Sequence, residues 1–176
     1  MSTLVNRLLV ASSLILGVTT FSSATLAQTT DTVDIQGEVA TTLAVTAAPE
    51  AAATALDLGG EGTATDDVIV KVAVLTVTSN NEDGVELTIT SGDMTNSTDV
   101  DATDVVPYQV VTVTGGGAPP VTGDFITASG TDRVEDLNRD NVDGEEDRDL
   151  YIMYDAPVVL DPGTYDDTIT VSVVDK

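Results

Sequence analysis

Oxygen ligands crowd into one stretch of this chain, Asp136–Asp149, "DLNRDNVDGEEDRD". Asp136, Asn138 and Asp140 occupy positions 1, 3 and 5 of a calcium-loop pattern, and Asp147 falls at position 12. Alternate side chains of a tight loop turn their oxygens toward one point, which suits a hard cation. Position 6 is Asn141, which tolerates the left-handed backbone better than most residues. Position 12 is Asp, with a shorter reach than the usual Glu. These four residues form a candidate metal site, and calcium is the one cofactor the sequence suggests. A plain solvated acidic loop is the alternative, because acids abound along the whole chain.

Catalytic chemistry finds little to work with. The chain contains no His and no Cys, which excludes a Ser-His-Asp triad, thiol chemistry and a Cys/His zinc site. "GGGAPP" (Gly115–Pro120) lacks the Lys and the following helix of a phosphate loop. Asp166 and Asp167 are neighbours, but in a strand they point to opposite faces and make a poor acid/base pair. The expectation is a protein that is not an enzyme. "NST" (Asn96–Thr98) matches the acceptor pattern for N-glycosylation.

The elements that would carry these residues read as strands. Val and Thr alternate in runs separated by Gly, Asp, Asn and Pro. Strands are expected over Thr32–Val39, Thr41–Ala47, Asp67–Ser79, Val85–Ser91, Val105–Thr114, Asp149–Ala156 and Thr164–Val174, with a short one over Asp124–Ser129. In Asp67–Ser79 the alternation puts Val68, Val70, Val72 and Val74 on one face and Ile69, Lys71, Ala73 and Leu75 on the other. That run is apolar almost throughout and belongs in the middle of a sheet. Ala47–Gly60 reads as a loop with room for one helical turn, and Asn80–Gly84 as a turn. The fold class is all-β, an antiparallel sandwich. A barrel is the alternative, and the uneven connections favour the sandwich. Tyr165, just before the last strand, is placed to pin the preceding loop through its hydroxyl.

Residues 1–27 read as a signal peptide: a short n-region carrying Arg7, the apolar run Leu8–Phe21, then small residues before Gln28. The run is shorter than the ~20 residues that span a bilayer, and no second apolar run follows it, so the mature chain is expected not to insert into membrane. Residues 28–176 suit a single domain. Removing Arg7 leaves five Lys/Arg against 30 Asp/Glu, a formal charge of −25. Such a surface repels nucleic acid and anionic lipid. The expected location is extracellular or at the cell surface.

The order of segments supports a more specific expectation. Past the expected leader the chain reads "VDIQGEVATTLAVTA", then "SNNEDGVELTITSG" and "VPYQVVTV", and near its end "LDPGTYDDTITVSVV". It resembles the subunits of bacterial chaperone–usher fimbriae, above all the spore coat U-like branch. The match is sharpest in the ending Gly163, Thr164, Tyr165, Asp167, Thr168, Thr170, Val171 and Val173. The resemblance implies an incomplete immunoglobulin-like sandwich completed by a strand from another subunit, with related subunits, a periplasmic chaperone and an usher as partners. The exchangeable strand would be Val33, Ile35, Gly37 and Val39, seated beside Ile169, Val171 and Val173. Two other readings stay open: that the same strand closes its own sheet, and that the chain is a monomeric secreted module binding calcium or another ligand.

Overall fold

The computed structural model describes residues 35–59, 65–98, 104–138, 144–157 and 159–176. The expected signal peptide, 1–27, lies outside them, as do Val33 and Asp140. The chain divides into two units, Met1–Glu38 and Val39–Lys176, and every strand below belongs to the second.

The described strands are β1 (Leu43–Pro49), β2 (Thr65–Ser79), β3 (Val85–Thr90), β4 (Asp93–Asn96), β5 (Val105–Thr114), β6 (Arg133–Leu137), β7 (Glu145–Ala156), β8 (Tyr165–Asp166) and β9 (Thr170–Asp175). Among the described residues there is no α-helix; Ala51–Thr54 and Thr122–Asp124 each make a single 3-10 turn. One sheet has the order β1-β2-β7-β5-β4-β8 and the other β6-β3-β9, and all pairings are antiparallel. The fold is the expected all-β sandwich.

Period-two alternation builds the core. β3 sends Val85, Leu87 and Ile89 inward, all buried. They meet Val106, Tyr108 and Val110 of β5 and Leu150, Ile152 and Tyr154 of β7. A smaller apolar cluster of Val111, Phe125, Tyr151 and Met153 covers part of the other face of the large sheet.

In β2 the expected faces hold only up to residue 71. The register slips between Lys71 and Ala73, and Val72 and Ala73 are both buried. A bulge inserts one extra residue and flips the parity. Beyond it Ala73, Leu75 and Val77 face the core, while Val74 is only half-buried.

Other expectations are corrected. Ile35–Val39 forms no strand, because strand geometry needs a partner's ladder and a core beneath. Asp124–Ser129 is irregular, and its Phe125 serves as a plug on the outer cluster. The acidic run is no single loop: its ends belong to β6 and β7. Thr164–Val174 splits into β8 and β9. Two strands went unanticipated, β4 and β6. Each is short, and the inward positions of β6 include Arg133 and Glu135, which carry no apolar alternation.

Candidate functional site: the seam between β1 and β9

Four strand edges bound the two sheets: β1 and β8 on one, β6 and β9 on the other. An edge exposes unpaired N–H and C=O groups, and proteins blunt it with charge, brevity or a covering group. Two of these edges are treated that way. β8 is two residues long. β6 carries Arg133, Glu135 and Asp136, and Glu135 bridges it to the large sheet. The Glu135 carboxylate accepts the Thr112 N–H (3.3 Å) and the Thr112 hydroxyl. It also pairs with Arg133 (2.9 Å) and Arg148 (3.1 Å).

The other two edges are bare. β1 reads Leu-Ala-Val-Thr-Ala-Ala-Pro and has no charged residue; β9 has none until its last position, Asp175. The two strands approach to Cα separations within 8 Å yet exchange no backbone pairing. Between them the core is thinly covered. Ile169, Val171 and Val173 are only partly buried, although Val171 and Val173 pair with Ile89 and Leu87, which are fully buried. On the facing edge only Val45 is partly buried, and the rest of β1 is exposed. The result is an apolar row flanked by two open, uncharged backbones.

β9 is held in place from both ends. At its start, Asp167 accepts the Tyr108 hydroxyl (2.6 Å) and the Gly92 N–H (2.8 Å). Burial, reinforced by that carboxylate, pushes the Tyr108 phenol well above its usual value. The Tyr165 hydroxyl donates to the Asp161 carbonyl (3.0 Å), the loop pin expected of it. Thr164 donates its N–H to the Thr98 hydroxyl (2.6 Å) and accepts from the Ser97 N–H (2.8 Å). Gly163 has no room for a side chain: a Cβ would stand 2.2 Å from Asn96 Oδ1. At its end, the Ser79 hydroxyl donates to Asp175 (3.2 Å) and Asn81 Nδ2 to the Lys176 carbonyl (3.0 Å). The motif Gly163–Asp167 is thus a set of struts for the seam. Asn96 itself is buried, with its amide oxygen accepting the Thr98 N–H and hydroxyl. Its role is to hold the loop, a signal the glycosylation pattern did not carry.

The residues expected to exchange strands fall on two sides. Ile169, Val171 and Val173 lie partly buried against the main core. Ile35 and Val39 are exposed, at 96% and 87% of their full accessible surface, and Gly37 has open space around its Cα.

Of the described candidate calcium residues, Asp136 and Asn138 lie together and Asp147 lies apart. Asp136 is exposed on β6, alternating with the inward Leu137. Its carboxylate and Asn138 Oδ1 meet the Lys176 ammonium, at 3.5 and 3.4 Å. Asp147 lies on β7 in the other sheet and accepts the Thr76 hydroxyl (2.7 Å). Asp136 and Asp147 therefore face outward from different sheets. Among the described residues, no three acids gather as a cation cage. On the outer face of the large sheet, buried Asp149 accepts from Lys71 (2.8 Å) and the Gly116 N–H (3.0 Å). The hydrogen bond from Lys71 holds the Asp149 carboxyl below its usual range.

No protein-family model matches this chain, and no curated protein shows significant sequence similarity to it.

Proposed function

We propose that this chain is an exported structural subunit of a surface fibre or adhesive layer, assembled by donation of the arm 33–39 of one copy into the β1–β9 seam of another. The observation that carries this reading is the contrast between edges. In a chain that is 20% charged, the two edges flanking the half-covered apolar row carry no charge apart from Asp175 at the very end of β9. A strand seated there satisfies open N–H and C=O groups on both sides and covers the row. It also replaces the loose contact between β1 and β9 with two ladders, which requires these strands to part from within 8 Å to about 9.5 Å. The arm has the right pattern, Val33, Ile35, Gly37 and Val39 on one face, and burying each Val or Ile contributes roughly 1.5–3 kcal/mol. The resemblance to chaperone–usher subunits supports the same conclusion, and under it a periplasmic chaperone and an usher would be partners.

The test is the mass of the chain in solution and of its Ile35→Asp variant. The wild type should form concentration-dependent polymers, and the variant should stay a folded monomer, since a carboxylate cannot enter an apolar groove. A wild type that remains monomeric at every concentration, with a variant that unfolds, would show that the arm belongs to its own domain. A monomer stabilised by calcium beyond the effect of ionic strength would favour the ligand-binding module instead.

A further inference from the structure

Resting on that reading, we propose that Asn80 sets the direction of the arm and keeps it out of the seam of its own chain, reserving it for a second copy. β1 starts at Leu43, opposite Ser79, the last residue of β2. Beyond Ser79 the backbone of β2 turns away into the 80–84 turn. The Asn80 N–H still donates to the Thr42 carbonyl (3.1 Å). From there its side chain takes over. Asn80 Oδ1 accepts the Thr42 N–H (2.8 Å), and Asn80 Nδ2 donates to the Ala40 carbonyl (2.7 Å). A carboxamide offers the same donor and acceptor as a peptide group, so it prolongs the ladder past the end of β2. Ala40 and Thr42 are thereby held beside the end of β2.

The base of this clamp is itself fixed. Asn81 donates its N–H to the Ser79 hydroxyl (3.0 Å) and its Nδ2 to the Lys176 carbonyl (3.0 Å). Asn80 therefore sits between two anchored residues.

To enter its own seam, the arm would have to fold back along the free edge of β1 through a hairpin turn near 40–42. Loop length alone permits this, because hairpin loops commonly have 2–5 residues. Two features oppose it. Reversal breaks the hydrogen bonds that Asn80 makes to residues 40 and 42. The turn also wants Gly, Asn or Asp at positive φ, and Val39–Leu43 reads Val-Ala-Thr-Thr-Leu. The opposition matters because a tethered arm competes at an effective concentration on the order of millimolar. At micromolar protein, an unopposed arm would prefer its own seam by about a thousandfold.

The test combines light scattering with uptake of a fluorescent peptide of residues 31–39 by the full chain. The wild type should polymerise and, when dilute, bind the peptide. A double variant, Ala40→Asn with Thr41→Gly, supplies a hairpin turn by changing two exposed side chains. It should be monomeric, melt higher than the dilute wild type and refuse the peptide. Asn80→Ala should raise the concentration needed for polymers at least tenfold. If Asn80→Ala polymerises and takes up peptide like the wild type, Asn80 does not decide the partner, whatever the double variant does, while the seam reading stands. If the wild type neither polymerises nor binds the peptide, the seam reading fails and this proposal fails with it. Should Asn80→Ala unfold, Asn80→Asp decides: its carboxylate still accepts the Thr42 N–H but cannot donate to the Ala40 carbonyl, so polymers should again need a higher concentration, and polymers at the wild-type concentration would overturn the role of Asn80.

Discussion

Gly163 is a residue at which the struts of the seam are sensitive to a single methyl group. The Asn96 amide stands where a Cβ would go, and it cannot swing away cheaply. Its oxygen serves the Thr98 N–H and hydroxyl, and its nitrogen approaches the Pro162 carbonyl at 3.4 Å. Gly163→Ala should cost about 1–3 kcal/mol, the range for overpacking a well-filled site, read as a lower melting temperature. An unchanged melting temperature would mean that the loop before β8 yields freely. Asp149 permits a second residue-scale prediction, about pH. Its folded carboxyl is held below the usual range by Lys71, so the stability it contributes is present above the unfolded Asp value, near 4. That contribution fades as pH falls through the lower folded value. Asp149→Asn should therefore melt lower than the wild type at neutral pH, and the gap should close on acidification below about pH 4. A gap that persists at low pH would assign the loss to packing or to the Gly116 contact rather than to charge.

Elements divide into those announced by their own residues and those made by neighbours. β3 and β5 were legible almost to the residue: β3 alternates cleanly with one buried face, and β5 alternates through Val106, Tyr108 and Val110 before Val111 joins the outer cluster. β2 was legible in extent, but its bulge was not: an all-apolar run carries no mark of which residue is inserted. β6 was hidden because its inward positions carry charge, Arg133 and Glu135, and Glu135 is paired by Arg148 of β7, a partner that only tertiary structure brings close. The seam half of the candidate site, Ile169, Val171 and Val173, was visible from alternation and the ending motif. The Asn80 clamp was not, since a turn cluster such as "NNEDG" gives no sign that one carboxamide reaches back to residue 40. The bareness of the β9 edge leads to an element-scale prediction. Ser172 is an outward residue of β9, exposed and paired with Thr88. Ser172→Lys places a charge on the edge strand, the usual natural device against strand addition, without touching the inward row. Polymers should weaken while the melting temperature of the monomer barely moves. Equal loss of both would mean that Ser172 matters for the fold itself.

At the scale of the whole molecule the governing quantity is charge. The formal net charge is −24, and the four described cations are all committed to internal pairs: Lys71 with Asp149 and Glu50, Arg133 and Arg148 with Glu135, and Lys176 with Asp136. Most carboxylates therefore see chiefly other carboxylates. Salt acts on both kinds of contact, weakening the few attractions and the many repulsions. The attractions are short and partly buried, where screening is weakest, whereas the repulsions run over distances comparable with the Debye length, about 10 Å at 0.1 M and 3 Å at 1 M. Screening should favour the folded state, so the melting temperature of the monomeric Ile35→Asp chain should rise between low and molar sodium chloride. Assembly should respond more steeply still. Joining two copies brings two strongly acidic surfaces together, and the arm carries Asp34 and Glu38 beside its apolar face. The concentration at which wild-type polymers appear should then fall with salt by more than the gain in monomer stability implies. Polymers that dissolve as salt rises would mean that assembly depends on ion pairs rather than on the uncharged seam.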